Sequence, residues 1–397
     1  MSVRKRKWKT SKGEDRQAWV ADYVDGKGKR HIRSFKRKKD ADGFSATAKV
    51  EVREGTHVAD SESCTVKEAG ELWIRAASQN GLERSTLSQY RQHLNLHIVP
   101  FIGQKRLSGL SVPIVRAFED DLKAAGRSPA MVRKVLTSLS SLVSDAQERG
   151  LVAKNPVRDM RRRRRSADTV EKRSKGRLEI GVDIPTPVEI KKIIEHAKSP
   201  WRALVITAIF SGLRASELRG LTWKDVDLKK SEIRVTQRAD RYNQIGPPKS
   251  RAGNRTVPIG SFVVNTLKEW KLAYPRPLKS DLDKSGEYLR ERPNQEHLVF
   301  PNTLGKVESH PNLVQRGVNP IMAAAGLSYT GTHALRHFYA SWCINRKAEN
   351  GLELPPKSVQ ERLGHSSIQV TFDRYGHLFP RSDDTRELTA AELRIFS

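Results

Sequence analysis

The segment Leu363-Gly364-His365-Ser366-Ser367-Ile368-Gln369-Val370-Thr371-Phe372-Asp373-Arg374-Tyr375 closes a dispersed series of polar residues in the second half of the chain. Before it come Ser211-Gly212-Leu213-Arg214-Ala215-Ser216-Glu217-Leu218, then Pro248-Lys249-Ser250-Arg251, then Thr332-His333-Ala334-Leu335-Arg336-His337. Each piece alone is weak, because a His-x-x-Arg pair arises by chance in a chain this long and basic. Their order and local contexts carry the reading. Two arginines grip the non-bridging oxygens of a phosphodiester through charge-assisted, bidentate hydrogen bonds. Histidines and a lysine move protons, and a tyrosine attacks phosphorus to form a covalent ester. Such a set cuts a nucleic-acid strand without water or metal, so no residue is expected to ligate a metal and no cofactor is called for.

In sequence and order these motifs resemble those of the tyrosine recombinase (phage integrase) family, over residues 184 to 380. The resemblance implies that Tyr375 is the nucleophile, that Arg214 and Arg336 clamp the scissile phosphate, and that His365 hydrogen-bonds it. His333 takes proton transfer or phosphate hydrogen bonding. Lys249 becomes the general acid for the leaving 5′ oxygen, a task that calls for burial near other cations, or else a simple phosphate contact. Glu217 orients the network or forms a structural salt bridge. Arg251 and Arg255 are expected to contact the DNA backbone or to lie on the hairpin surface. His337 is expected to point elsewhere on its helix and pack, and His377 matches no position of the family.

Composition agrees with a polyanionic partner. The formal net charge is +28, from 73 Lys and Arg against 45 Asp and Glu, which is a statement about partners rather than about fold. Double-stranded DNA is the expected partner and a membrane is not. The longest nearly apolar run, Ala203 to Phe210, contains Thr207 and is far short of the roughly 20 residues that cross a bilayer. The basic start, Met1 to Trp8, is followed by no apolar segment of a secretory signal, and a bacterial cytoplasmic, nucleoid-associated protein is expected. Cys64 and Cys343 supply neither a disulfide framework nor a metal cluster.

The length favours two or three domains, and three are expected. The expected class is multidomain α+β. Residues 1–58 read as a small three-stranded sheet plus helix, resembling the arm-type DNA-binding domain of integrases, with Arg4, Lys5, Arg6 and Lys7 as DNA contacts. The alternation in Ala18 to Val24, the turn Asp25-Gly-Lys-Gly-Lys29, the strand His31 to Phe35 and a helix from Lys38 to Arg53 support it. Residues 63–160 carry apolar positions at helical spacing in four segments, with Thr65 and Ser128 as caps and with Gly150 and Asn155-Pro156 ending the last helix. By resemblance this is a core-binding bundle. Residues 161–183 form a basic linker in which Arg161, Arg162 and Arg163 track phosphates or merely stay solvated. Residues 184–380 form a mostly helical catalytic domain with a small antiparallel sheet, where Lys249 lies between the strands Glu232–Thr236 and Arg255–Ile259. Residues 381–397 are a tail with a short helix from Glu387 to Phe396.

The family resemblance further implies a homotetramer assembled on two DNA sites, integrating or excising a prophage or mobile element, with accessory DNA-bending or excision factors as possible partners. Three other readings compete: a Xer-like resolvase without an arm domain, a nicking and resealing topoisomerase, and a non-catalytic DNA-binding regulator on the same scaffold. The regulator explains the charge but not six ordered catalytic residues.

Overall fold

The computed structural model describes residues 2–9, 11, 14–25, 28–55, 57–59, 63–164, 177–273, 297–379 and 384–396. The chain divides into two compact units, Met1–Thr169 and Val170–Ser397.

The first unit opens with an antiparallel sheet of β1 (Ser2–Lys9), β2 (Asp15–Val24) and β3 (Arg30–Phe35), with β2 in the middle. Trp19 lies opposite Lys5 on one side and Phe35 on the other. Central β2 buries Val20, Ala21 and Tyr23, and the helix Lys38–Arg53 buries Ala41 and Ala48. Phe44 of that helix meets Tyr23 edge-on and lies 5.3 Å from Phe35. The arm-module reading therefore has its sheet and helix, and β1 supplies a third strand from the basic stretch at the start. Arg4, Lys5, Arg6 and Lys7 are all exposed on this edge strand, where positive charge also discourages pairing with another chain.

The bundle follows. Thr65 and Glu68 form a reciprocal capping box at the helix Val66–Gln79, satisfying two orphan donors. Ser128 caps the helix Pro129–Glu148, which has proline at its first position. With Arg84–His93 and Val112–Ala124 these are the four expected helices, and Trp73, Phe118, Leu122, Leu139 and Leu142 are buried among them. The basic stretch departs from expectation. The helix Pro129–Glu148 stops just before Gly150, as expected, but Asn155-Pro156 ends no helix and instead starts a further one, Pro156–Arg164, the Asn155 Oδ1 accepting from the backbone N–H groups of Val157 and Arg158. Its Nδ2 donates to the Ser140 carbonyl at 2.9 Å, and Val157 and Met160 are drawn into the core. The backbone of Arg161, Arg162 and Arg163 is thus helical, while residues 165–176 of the expected linker lie outside the described residues.

In the second unit a capping box of Thr186 and Glu189 begins the helix Pro187–His196. The helix Arg202–Ser211 buries eight of its ten residues, and each fully buried aliphatic side chain contributes roughly 1.5–3 kcal/mol. A small sheet follows in the order β4 (Val226–Asp227), β5 (Glu232–Val235), β8 (Arg255–Pro258), all antiparallel. The expected strand pair is β5 with β8, but a second two-stranded hairpin intervenes, β6 (Arg238–Ala239) and β7 (Ile245–Gly246). The helices His333–Ile344, Pro356–Leu363 and Ile368–Tyr375 complete the core side of the unit. A last helix, Asp384–Phe396, exposes Leu388, Leu393, Ile395 and Phe396; the tail residues 381–383 and 397 lie outside the described residues. Among the described residues no helix is long and apolar enough to cross a membrane.

Candidate active site

The buried helix Arg202–Ser211 stops at Gly212, whose φ of 61° is left-handed, the region where glycine carries no Cβ penalty. A Cβ there would also sit 2.3 Å from the Tyr339 ring. The chain then extends at Arg214, the N-cap of the short helix Ala215–Arg219. Glu217, at the third position of that helix, accepts the Arg214 backbone N–H at 2.9 Å and its Nη1 at 2.7 Å.

Glu217 is 3% exposed and serves a second arginine. Arg255 donates from Nη1 and Nη2 to its two oxygens at 3.2 and 2.9 Å. Burial alone would raise the Glu217 pKa. The Arg255 hydrogen bonds and the charges of Arg255, Arg214 and Arg336 overcome it and bring the value down to about 2. The carboxylate therefore stays ionised and tethers the cations.

Those cations share a second anchor, the C-terminal end of the helix Pro356–Leu363. Arg255 Nε donates to the Arg362 carbonyl at 2.8 Å, Arg336 Nη2 to the Leu363 carbonyl, and Arg214 Nη2 to the Gly364 carbonyl at 3.1 Å. Helix ends leave carbonyls without intrahelical partners and carry partial negative charge, so three guanidiniums gather where the backbone is most electronegative. Arg336 also holds the Gly212 carbonyl through Nη1. Burial, then Arg214, push its pKa down to about 9 against the pull of Glu217, which leaves it charged at neutral pH.

This geometry explains the glycine of the Leu363-Gly364-His365 box. Gly364 has φ 63°, and a Cβ on it would lie 2.8 Å from Arg255 Nη1 and 2.9 Å from the Ala252 carbonyl. Gly364→Ala is expected to cost about 1–2 kcal/mol from the left-handed backbone alone and to displace Arg255 as well. Urea unfolding measures it, and wild-type stability in the variant would mean that the box tolerates a side chain.

The six expected catalytic residues lie in this one unit, in three settings. Arg214 and Arg336 belong to the cluster just described. Lys249, Arg214 and His333 line one cavity of about 410 Å³, together with Glu217, Arg238 and His310. Lys249 is exposed on the segment after β7, so the burial expected for a general acid is not present here. His333 is exposed at the start of its helix, and its pKa is lowered by partial desolvation, then by Arg336, Arg374 and Arg214.

His365 and Tyr375 are buried together, their rings nearly parallel with centroids 6.3 Å apart. His365 Nδ1 lies 2.9 Å from the Thr371 hydroxyl. Burial, then the charges of Arg336 and Arg214, bring its pKa to about 3, so the ring is neutral. Tyr375, 1% exposed, ends its helix with its hydroxyl 2.7 Å from His337 Nδ1. Burial raises the phenol's pKa, and Arg336, Arg374 and Arg214 oppose the rise.

Two expectations are corrected. His337 does not merely pack, because it binds the hydroxyl of Tyr375. The spacing held the signal: His337 follows His333 by four residues, one turn on the same helical face, and the rings stand 5.9 Å apart. Arg255 is not on the hairpin surface or available to DNA backbone, because its side chain is 6% exposed and bound to Glu217. Strand alternation held that signal, since Arg255 shares a face with buried Val257 and Ile259. Arg251 is exposed as expected. The side chains of Arg161, Arg162 and Arg163 lie outside the described residues, and Arg4, Lys5, Arg6 and Lys7 belong to the first unit.

Known proteins resemble the chain throughout. The profile of the phage integrase family matches residues 186–381. A tyrosine recombinase XerC-like protein of Caldanaerobacter subterraneus subsp. tengcongensis is 27% identical over 378 residues, which span 91% of this chain and 91% of the relative. The putative prophage phiRv2 integrase of Mycobacterium tuberculosis is 24% identical, over 94% of this chain and 91% of its own length. Among solved structures, the Tn1549 transposon integrase in complex with circular intermediate DNA has a TM-score of 0.60 at 18% identity, covering 84% of this chain and 100% of that one. A lambda integrase tetramer bound to a Holliday junction gives 0.54 at 17% identity, over 91% and 96%.

Proposed function

Since the chain belongs to the phage integrase family and is a tyrosine-type site-specific recombinase, we propose that Tyr375 performs its strand cleavage and that Arg214, Arg336, His365, His333 and Lys249 serve the same phosphate. The observation that carries this reading is the cluster of Arg214, Arg255 and Arg336 around Glu217 and the carbonyls of residues 362–364, in the unit that also holds Tyr375.

In this reading the Tyr375 oxygen attacks the scissile phosphorus, forming a 3′-phosphotyrosyl ester as the bond to the 5′ oxygen breaks. Lys249 gives that oxygen a proton, moving inward from its exposed position as DNA enters the cavity. Arg214 and Arg336 stabilise the charge that builds on the equatorial oxygens. Glu217 and Arg255 are positioning residues, which fix Arg214 before substrate arrives. A 5′ hydroxyl from a partner strand then attacks the ester and releases Tyr375. One phosphodiester is exchanged for another, so bond energy is conserved and the exchange needs neither ATP nor a metal.

The partner is double-stranded DNA, with four protomers on two sites. The exposed apolar side chains of the helix Asp384–Phe396 offer a surface for a neighbouring protomer. Residues 1–58 are the arm-binding module, 63–160 the core-binding domain, 161–183 the linker, 184–380 the catalytic domain and 381–397 the tail. The work is integration or excision of a prophage or mobile element in a bacterial cytoplasm, at the nucleoid, with DNA-bending or excision factors as accessories. A resolvase without an arm site is the second reading. The exposed basic edge of β1 favours the arm-binding one.

The test is capture on a nicked duplex that spans the junctions of the encoding element. A denaturant-resistant adduct is expected, and peptide mapping is expected to place the nucleotide on Tyr375. Attachment to Tyr329 or Tyr339 would overturn the assignment, and specific binding with no adduct would favour a regulator. Footprinting with Arg4→Ala/Arg6→Ala full-length protein should lose a protected sequence separate from the cleavage site. An unchanged footprint would favour the resolvase.

A further inference from the structure

The reaction above leaves the phenolic proton of Tyr375 without a destination. We propose that His337 is a further catalytic residue, the base that accepts this proton as Tyr375 attacks. The assignment rests on the recombinase reading of the site and deepens it.

Geometry selects His337 from the three histidines near the nucleophile. Its Nδ1 is 2.7 Å from the Tyr375 hydroxyl, with ring centroids 5.8 Å apart. The His365 ring is nearly parallel to the tyrosine ring at 6.3 Å between centroids, but its Nδ1 faces the Thr371 hydroxyl. His333 is exposed at the start of the helix and lines the cavity shared with Arg214 and Lys249, its ring 5.9 Å from that of His337. With its own proton on Nε2, the neutral His337 ring accepts the phenol O–H at Nδ1. A helix residue holds it there, so the contact needs no loop to close.

The electrostatics make the base conditional on substrate. In the free protein the pKa of His337 falls to about 4, through burial first and then through His333, Arg374 and Arg336, with Asp183 opposing. A phosphodiester seated between Arg214 and Arg336 adds negative charge to a cluster in which three guanidiniums share the one carboxylate of Glu217. Its arrival raises the proton affinity of His337 at the moment the phenol must ionise. The step balances: the Tyr375 O–H bond breaks, its proton passes to Nδ1, the O–P bond forms, and the 5′ oxygen leaves with a proton from Lys249. Religation runs the same transfers backwards, with His337 returning the proton to the departing phenolate.

The experiment is single-turnover adduct formation on the nicked duplex with full-length protein, comparing wild type, His337→Gln and His337→Asn at equal occupancy. At neutral pH both variants are expected to cleave roughly 10²–10⁴-fold more slowly, while noncovalent affinity stays within a few fold. Their rates should rise about tenfold per pH unit below the phenol's pKa, as self-ionisation replaces the missing base. A duplex with sulfur in place of the bridging 5′ oxygen separates base from acid, because a thiolate leaves without a proton. Lys249→Ala should recover on that duplex and His337→Gln should not. Variants that keep pace with wild type, or that cleave faster, would make the contact a resting tether and overturn the proposal, as would recovery of His337→Gln on the sulfur duplex. Wild-type protein that forms no adduct overturns the recombinase-site reading and the proton assignment with it, a result distinct from either.

Discussion

Replacing Glu217 with leucine is expected to destabilise the Val170–Ser397 unit by roughly 3–5 kcal/mol, the range found when one partner of a buried ion pair is removed. Arg255 is 6% exposed and spends both Nη atoms on this carboxylate, so the substitution leaves a guanidinium buried beside Arg214 and Arg336 without its counter-charge. Chemical denaturation of the full chain measures the loss. A double replacement, Glu217→Leu with Arg255→Met, should be milder than the single one, because it removes the stranded charge together with its partner. The pH dependence has a definite sign. The folded-state pKa of Glu217 is depressed to about 2 from an ordinary 4.5, so its contribution is full above the ordinary value and fades as pH falls towards the lower one. The shift corresponds to about 3 kcal/mol. The stability gap between wild type and Glu217→Gln should therefore narrow through that acid window. A gap that stays constant down to about pH 2 would mean that the carboxylate's charge is not what holds the cluster.

Local signals made much of this fold legible. The capping boxes at Thr65 with Glu68 and Thr186 with Glu189, the proline at the first turn of Pro129–Glu148, and the alternation in β2, β5 and β8 each depend on residues a few positions apart. Order along the chain placed the six expected catalytic residues in one unit, where Arg214, Lys249 and His333 line one cavity and His365 and Tyr375 are buried together. For His337 and Arg255 the period of the element points the other way from the roles expected of them. The i to i+4 step puts His337 with His333, and the two-residue period of β8 turns Arg255 inward. The opposite error came at Asn155-Pro156, where a terminator signal also fits an N-cap followed by proline. Only the side-chain bonds of Asn155 to Ser140 and Ser144, made across 15 and 11 residues, decide between them. The arginine-lined helix end was not readable at all. Its contacts join Arg214 to Gly364 across 150 residues and Arg255 to Arg362 across 107, and no periodicity encodes a meeting at that distance.

Arg336→Lys is expected to lower the rate of adduct formation by roughly 10²–10³-fold, the usual cost of losing one preorganised donor to a developing oxyanion. The loss follows from what the guanidinium does in the free protein. Nη1 holds the Gly212 carbonyl and Nη2 the Leu363 carbonyl, so one planar group ties the turn before Arg214 to the helix end before His365. A guanidinium has five N–H donors in a fixed fork, and donors remain for a phosphate after these two contacts. An ammonium is a point charge and does not span both carbonyls in the same plane. Lysine would leave one of them buried without a donor, at about 1–3 kcal/mol, and would release Gly212 and Leu363 from a common frame. Positive charge is conserved, so DNA affinity, which depends on summed phosphate contacts, should change by only a few fold. The two quantities separate in one experiment, with adduct formation at saturating protein read beside equilibrium binding at fixed salt. A variant that binds poorly yet cleaves at the wild-type rate once saturated would make Arg336 an anchor for DNA rather than a stabiliser of the transition state.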